Sequence, residues 1–127
     1  MALLSSITRR YHFEAAHFLP LVPDGHKCKR MHGHNYEFEL VVRATLNDQG
    51  WVLDFWDLDL IVQPLINEKL DHRLLNEVPG LDNPTAEIIA IWLHRIISNL
   101  LPTGLSLDAV HVYETKDCRA SAHSTLF

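Results

Sequence analysis

The feature that most constrains this chain is a cluster of metal-ligand and cationic side chains between His26 and His34, in the run His-Lys-Cys-Lys-Arg-Met-His-Gly-His. His32 and His34 are two residues apart, and side chains at that spacing project to the same side of an extended strand. Neutral imidazole is a common zinc ligand, and the nearby thiol of Cys28 is either a further ligand or a base. The cluster therefore predicts a metal site at the start of a strand.

A third histidine comes from the preceding predicted strand. Apolar and polar residues alternate over 5–17, and His17 ends this stretch in phase with its apolar face. The alternation over 34–46 is clearer, and both His32 and His34 share the parity of its apolar face. If the two strands pair antiparallel, the end of the first lies beside the start of the second. We therefore predict a three-histidine site at the mouth of the connecting loop.

The remaining pattern predicts an α+β domain. Asp54 can cap a helix whose apolar residues recur at helical spacing, and Pro64 should kink or divide that helix. Asn83 followed by Pro84 predicts the start of a second helix. Further strands are predicted over 51–53 as a short extension, over 107–114 and over 119–125. This order gives an antiparallel four-stranded sheet with two helices on one face.

Composition narrows the classes of function. The 127 residues are expected to form one domain, 1–127, and 47% hydrophobic with 21% charged residues is typical of a soluble globular protein. The net charge of -5 argues against a nucleic-acid binder. No apolar run is long enough to span a membrane, and the N-terminus lacks a signal-peptide pattern. We expect a cytoplasmic protein whose cysteines, Cys28 and Cys118, are reduced.

The residues alone do not decide whether the metal site is catalytic or structural. Three protein ligands with a free fourth position are typical of a catalytic zinc, whereas four ligands close a structural one. Cys28 could close the site as a structural ligand, or its cationic neighbours could favour a thiolate that acts as base or nucleophile. Those neighbours, Lys27, Lys29 and Arg30, either form a solvated loop or hold a polyphosphate.

Two further acid–base candidates also have ordinary interpretations. Asp71 and His72 place a carboxylate next to an imidazole at a predicted helix end, but side chains of adjacent residues in a strand point apart. A histidine near a helix C-terminus is also a common ending. Glu114 is either a solvated carboxylate at a strand end or a buried acceptor for the N–H groups of a heterocycle. From the residues alone, the ordinary interpretation is favoured for both.

A set of motifs spread over nearly the whole chain resembles one known family. The motifs are Phe13-Glu14-Ala15-Ala16-His17, Cys28-x-x-x-His32-Gly33-His34, Asp54-Phe55, Leu70-Asp71-His72, Asn83-Pro84-Thr85-x-Glu87 and Glu114-Thr115. They are similar to those of the 6-pyruvoyl-tetrahydropterin synthase family. The short spacing after Cys28 most resembles its 6-carboxy-tetrahydropterin synthase branch, which acts in queuosine and 7-deazapurine biosynthesis. Animal pyruvoyl synthases carry a longer gap there. The tail over 116–127 matches no motif, and Cys118 is assigned no role.

The resemblance implies the tunnelling fold, in which subunits close their sheets into a barrel. The expected assembly is a homo-oligomer, a trimer or a hexamer built from trimers, with active sites between subunits. The resemblance also implies Zn2+ as cofactor, held by His17, His32 and His34. The implied substrate is 7,8-dihydroneopterin triphosphate, which is converted to 6-carboxy-5,6,7,8-tetrahydropterin with release of acetaldehyde and triphosphate.

The resemblance also implies roles for single residues. Cys28 would be the proton-transferring residue, activated by His72 with Asp71 beside it. Glu114 would anchor the pterin ring and join the proton relay, and Thr85 would help to bind the substrate. Our hypothesis for the triphosphate is that the basic residues beside the thiol help to hold it; they are Lys27, Lys29 and Arg30.

Three functions therefore compete. The first is the zinc-dependent carboxy-tetrahydropterin synthase. The second is a sister enzyme of the same fold, a pyruvoyl synthase or a side-chain-cleaving pterin enzyme. The third is a non-catalytic, zinc-stabilised binding module. The presence of Cys28, His72 and Glu114 argues against the third, because a module without catalysis would be free to lose them.

Overall fold

The architecture is one sheet with two helices, described over residues 2–124 of a computed structural model. The strands are β1 (Leu4–His17), β2 (His32–Thr45), β3 (Arg73–Leu74), β4 (Ser106–Thr115) and β5 (Cys118–His123). They lie in the order β3-β1-β2-β4-β5. The helices are α1 (Phe55–Leu65) and α2 (Ala86–Leu100). The predicted α+β class is confirmed.

The sheet is apolar on the side that faces the helices and polar on the other. β1 and β2 form a long antiparallel hairpin in which Tyr11 lies opposite Phe38 and Phe13 opposite Tyr36. These four side chains are buried in one core together with the inner faces of both helices. The opposite face of the same strands carries polar side chains, among them Arg10. Both helices therefore cover the same face of the sheet, as predicted.

Helix α1 is fixed at both ends by features visible in the sequence. Asp54 caps its start, because the Asp54 side chain accepts a hydrogen bond from the backbone N–H of Trp56 at 2.9 Å. The α-helix ends at Leu65, one residue after Pro64, and continues as a π-helical turn over Ile66–Leu70. The sequence predicted that Pro64 would kink or divide this helix; what the structure shows near Pro64 is a change from α to π hydrogen bonding in a stretch that stays helical to Leu70.

The prediction of four antiparallel strands is wrong, because the sheet has a fifth, parallel strand. β3 pairs parallel to β1, so the sheet is mixed. β3 spans only Arg73–Leu74, which is too short to show a period of two in the sequence. The predicted strand at 51–53 is also wrong. There the Asn47 side chain accepts the backbone N–H groups of Gln49 and Trp51 and closes a turn.

Two element boundaries differ from the prediction. Helix α2 is capped by Thr85 rather than by Asn83, because the Thr85 hydroxyl accepts the backbone N–H of Ile88 at 3.1 Å. The last strand runs from Cys118 to His123, and Thr125, the predicted end, lies outside the described residues. Between residues 2 and 124, neither helix is both long and apolar enough to cross a membrane.

Candidate metal and active site

The β1–β2 register brings the three predicted histidines together. His17 lies directly opposite His32, and His34 lies opposite Ala15, all at the end of the hairpin nearest the connecting loop. One ring nitrogen from each histidine lies within 4.8 Å of the other two. The ring centroids are 4.6 Å apart for His17 and His32 and 5.0 Å apart for His32 and His34. The spacing of the sequence motif therefore predicted the cluster correctly.

Backbone carbonyls orient two of the three rings. His17 Nδ1 lies 2.8 Å from the carbonyl oxygen of Pro84, and His32 Nδ1 lies 2.7 Å from that of Arg30. Because a carbonyl oxygen only accepts, each Nδ1 donates its proton there and leaves the Nε2 lone pair free. The two Nε2 atoms then face each other at 3.1 Å. Two lone pairs at that distance repel unless a cation lies beside both, and carbonyl-oriented imidazoles are typical of metal ligands.

The third ring completes the donor set. His34 Nε2 is buried and has no hydrogen-bond partner among residues 2–124. Burial lowers the pKa of His17 and of His34 below the ordinary imidazole value, so both rings are neutral at neutral pH. Three imidazoles whose ring nitrogens converge fit a metal ion.

Cys28 lies outside this ligand cluster. It sits in a short 3₁₀ turn over Lys27–Lys29, where its backbone N–H donates to His26 Nδ1 at 3.0 Å. Its carbonyl oxygen accepts the backbone N–H of Leu19 at 2.8 Å, which ties the turn to the residues after β1. The four-ligand structural site that the sequence left open is therefore not formed among residues 2–124.

Asp71 and His72 form a hydrogen-bonded pair on the edge of β1. The Asp71 carboxylate bonds His72 Nδ1 at 2.9 Å and accepts the backbone N–H of Glu14 at 2.9 Å. The expectation that the two side chains point apart is wrong, because His72 adopts a left-handed backbone conformation with φ of 58°. That conformation turns the ring back onto the carboxylate.

The same pair has shifted acid–base properties. The hydrogen bond that the His72 ring donates to Asp71 raises the pKa of His72. The hydrogen bond from the backbone N–H of Glu14, followed by that from the His72 ring, lowers the pKa of Asp71. The His72 ring lines an open groove of about 590 Å³ that also reaches His34. The lining residues are Glu14, Ala15, Ala16, Gly33, His34, Asn35, His72, Arg73 and Leu74. Cys28 is absent from that lining, so it does not share this groove with His72.

Glu114 lies beside the histidine cluster. Its Oε2 is 3.8 Å from His34 Nε2, and its side chain is 29% exposed. The pairing of β4 with β5 shifts register between Tyr113 and Thr115, which makes Glu114 the extra residue of a β-bulge. The carboxylate also lines a small cavity of about 250 Å³ together with Ala86, Glu87, Cys118, Arg119 and Ala120. Cys118, to which the sequence assigned no role, is thus a neighbour of the site.

The remaining candidates lie around the cluster. The Thr85 hydroxyl caps α2, directly after the Pro84 carbonyl that orients His17. Lys29 pairs with Asp24 at 2.6 Å. Lys27 and Arg30 are exposed and have no carboxylate partner within the described part of the chain. The basic residues of the loop are therefore only partly neutralised.

Sequence reasoning missed several groups of the site. The carbonyls of Arg30 and Pro84 leave no signal in the sequence, because every residue carries a carbonyl. The sequence pattern indicated only a core position for Tyr36, yet its buried hydroxyl has no hydrogen-bond partner among residues 2–124. The Tyr36 ring meets the His34 ring edge-on, with centroids 5.3 Å apart.

Comparison with known proteins decides the family. The family model described as 6-pyruvoyl tetrahydropterin synthase matches residues 6–124. The chain belongs to the 6-pyruvoyl tetrahydropterin synthase family. It is 38% identical to the 6-carboxy-5,6,7,8-tetrahydropterin synthase of Synechocystis, over 91% of this chain and 89% of that one. It is 35% identical to the dihydroneopterin monophosphate aldolase of Pyrococcus furiosus, over 85% of this chain and 88% of that one.

The chain also shares the fold of this family. The 6-pyruvoyl tetrahydropterin synthase of Caenorhabditis elegans superposes with a TM-score of 0.84 at 24% identity, covering 97% of both chains. Members of this family are pterin lyases, so the chain is an enzyme of that broad type. The resemblance to the carboxy branch is confirmed.

Proposed function

We propose that this chain is a zinc-dependent carbon–carbon lyase of queuosine and 7-deazapurine biosynthesis. It converts 7,8-dihydroneopterin triphosphate to 6-carboxy-5,6,7,8-tetrahydropterin and releases acetaldehyde and triphosphate. The observation that carries the proposal is the three-histidine cluster with the Glu114 carboxylate 3.8 Å from His34. The similarity to the Synechocystis enzyme of that name supports the choice of reaction.

The metal of the proposed site is Zn2+, held by His17, His32 and His34. Three imidazoles are a ligand set that suits zinc and leaves a coordination position for substrate. When bound, the metal supplies Lewis-acid polarisation of the oxygens on the substrate side chain. The chain itself holds two of the ligand rings in place through the carbonyls of Pro84 and Arg30.

Glu114 anchors the pterin ring in this proposal. A partly exposed carboxylate can accept two N–H groups of a heterocycle side by side, which fixes the orientation of the ring. The cavity beside Glu114 includes Ala86 and Glu87 from the first turn of α2, next to Thr85, which we propose as a further substrate contact. An anchored ring presents its side chain to the metal and the base together.

The thiol of Cys28 moves the proton at carbon, and His72 activates it. Asp71 accepts the Nδ1 proton of His72, which leaves Nε2 as the basic nitrogen of the ring. Because Cys28 does not line the groove of His72, we propose that His72 of one subunit acts on Cys28 of a neighbour. The proposed assembly is a trimer-based homo-oligomer whose sheets close into a barrel, with active sites between subunits.

The triphosphate is held by the basic residues beside Cys28. Lys27 and Arg30 are the main candidates, because Lys29 already pairs with Asp24. A free thiol that acts as a base requires a reducing compartment, which supports a cytoplasmic location.

The test is turnover of zinc-loaded protein with 7,8-dihydroneopterin triphosphate, measured as acetaldehyde and as pterin product. We expect acetaldehyde from the wild type and a loss of at least about a hundredfold in kcat for Cys28→Ala, because proton transfer by a positioned side chain contributes on that scale. The matched control is Leu21→Ala, which truncates an exposed side chain of the same loop and should retain turnover. Zinc content of Cys28→Ala should equal that of the wild type, since Cys28 lies outside the ligand cluster.

Two other outcomes would change the assigned reaction. A pterin that keeps its three-carbon side chain would indicate a pyruvoyl synthase. Cleavage of 7,8-dihydroneopterin monophosphate in preference to the triphosphate would indicate an aldolase, the activity named for the Pyrococcus furiosus relative. Zinc binding with no turnover of either substrate would contradict the lyase and favour the binding module.

A further inference from the structure

We propose that Glu14 is a positioning residue for the base at His72: its carboxylate orients the imidazole and makes Nε2 a stronger acceptor for the proton of Cys28. The inference rests on the role of His72 in the proposed function. It extends that role to a residue of β1 that lies outside the metal-ligand cluster. The geometry that points to it is the distance of 3.8 Å between Glu14 Oε2 and His72 Nε2.

Glu14 contacts the Asp71–His72 pair at three points. Its backbone N–H donates to the Asp71 carboxylate at 2.9 Å, and its backbone carbonyl accepts the backbone N–H of His72 at 2.6 Å. The third contact is made by its own carboxylate, beside His72 Nε2. The two backbone hydrogen bonds fix the main chain of His72 against β1, so the Glu14 side chain and the imidazole are kept close together.

The backbone of His72 also favours a functional role for this contact. Among residues 2–124, His72 is the one non-glycine residue with a positive φ, at 58°. A side chain in this left-handed region costs free energy, and such residues are concentrated at functional sites. In this conformation the ring has a carboxylate at each nitrogen, Asp71 at Nδ1 and Glu14 at Nε2.

The two carboxylates make different contacts with the ring. Asp71 lies 2.9 Å from Nδ1, which is a hydrogen bond, whereas 3.8 Å from Glu14 to Nε2 is longer than one. The Glu14 carboxylate therefore acts through its charge and leaves Nε2 free to bond a second partner. The His72 side chain is 74% exposed, so a thiol from another subunit can reach that nitrogen.

A negative charge at this position favours the proposed proton transfer. The proton leaves the Cys28 sulfur and binds His72 Nε2, which gives a thiolate and an imidazolium. The Glu14 carboxylate stabilises the imidazolium through Coulomb attraction. The hydrogen bond to Asp71 and the charge of Asp71, and after them the charge of Glu14, raise the pKa of His72.

Two other charged or titratable groups surround the pair. His12 on β1 acts electrostatically on Asp71, and Arg73 on β3 lines the same groove as His72. Both are neutral or positive, so neither would stabilise an imidazolium. Glu14 is thus the group that supplies negative charge on the Nε2 side of the ring.

The first experiment is an NMR titration of the His72 ring in zinc-loaded Cys28→Ala protein, in which no thiol titrates with it. We expect the ring to titrate at a lower pH when Glu14→Gln is added, because the imidazolium loses a neighbouring charge. The matched control is Glu68→Gln, which removes the same charge from an exposed side chain of the π-helical turn before Asp71 and should leave the titration unchanged. Equal titration with and without Glu14→Gln would overturn the inference. A merely structural role would lower the melting temperature and leave the titration where it was.

The second experiment separates action on the base from contact with the substrate. Turnover of 7,8-dihydroneopterin triphosphate is measured for zinc-loaded wild type, Glu14→Gln and Glu68→Gln. We expect Glu14→Gln to lower kcat about fivefold with KM unchanged, because the rate follows the strength of the base, and Glu68→Gln to match the wild type. A higher KM at unchanged kcat would show that Glu14 contacts the substrate instead and would overturn the positioning role. If the wild type turns over no pterin, the proposed function is wrong, and the titration still decides whether Glu14 acts on His72.

Discussion

At the scale of single residues, the site is defined by which nitrogen or oxygen of each side chain is left free. The His17 and His32 rings give their Nδ1 protons to backbone carbonyls, and their Nε2 atoms approach to 3.1 Å. Residue spacing predicted that these rings meet, because strand alternation and antiparallel pairing are enough to place them. Which nitrogen stays free could not be predicted, since it depends on carbonyls from Arg30 and from the distant Pro84.

The buried histidines make the stability of the metal-free protein depend on pH. Burial lowers the folded-state pKa of His17 and His34, while the unfolded chain keeps an imidazole pKa of about 6.5. The stability that these two neutral rings contribute is fully present above the unfolded-state pKa. It is lost as the pH falls from that value through the lowered folded-state pKa, because the unfolded state binds protons first.

We therefore expect the unfolding free energy of metal-free protein to fall below pH 6.5 by up to about 1.4 kcal/mol per pH unit for each histidine. Urea unfolding at pH 7.5, 6.0 and 5.5 measures the slope. The variant His34→Gln should show a shallower slope than the wild type. Equal slopes in the two proteins would show that His34 is not one of the groups responsible for the pH dependence.

At the scale of elements, the start of α2 serves both the fold and the site. The predicted helix is present, but its cap is Thr85, two residues later than the sequence suggested. The error has a physical origin: Asn83 is as good a cap as Thr85 in isolation, and the choice between them is made by tertiary contacts. One of those contacts is the hydrogen bond between the Pro84 carbonyl and His17.

Loss of the Thr85 cap should therefore weaken metal binding as well as stability. We expect Thr85→Ala to lower the unfolding free energy by about 1 kcal/mol. We also expect it to lower zinc affinity several-fold, because the Pro84 carbonyl that orients His17 loses its support. Chemical unfolding and competition with a zinc chelator measure the two effects.

The matched control is Asp54→Ala, which removes the cap of the other helix, α1, and no hydrogen bond to a carbonyl that orients a histidine. It should cost a similar amount of stability and leave zinc affinity unchanged. Equal zinc affinity in Thr85→Ala and the wild type would show that the cap has no influence on the ligand.

At the scale of the whole molecule, the residues proposed to be catalytic lie in two places. His34 and Glu114 lie together, and His72 reaches the same groove as His34, whereas Cys28 does not line that groove. The sequence supplied these residues through their resemblance to a family but could not show how they are distributed in space. β3, which positions His72, escaped prediction because two residues carry no periodic pattern.

This division predicts complementation between inactive subunits. Cys28→Ala and His72→Ala proteins, each inactive alone, are co-expressed so that mixed oligomers form. If a site takes Cys28 from one subunit and His72 from its neighbour, about a quarter of the sites in a random mixture have both, and turnover returns to about a quarter of the wild-type value. If both residues of a site came from one chain, the mixture would stay inactive. Cys28→Ala mixed with a variant lacking both residues is the control and should show no turnover.

The histidines lie on paired strands and Cys28 lies on a loop, and this difference affects how such proteins can diverge. The histidines stand on paired strands, and the pairing of β1 with β2 fixes their spacing whatever the length of the segment over residues 18–31. That segment carries Cys28 and the basic side chains and runs outside the ladder, where insertions cost little because loop closure depends only weakly on length. Under the proposed function, substitutions in this segment would therefore change the proposed base and phosphate contacts and leave the spacing of the three histidines unchanged. Substitutions and insertions in this one loop are therefore expected to change the reaction of a protein with this fold.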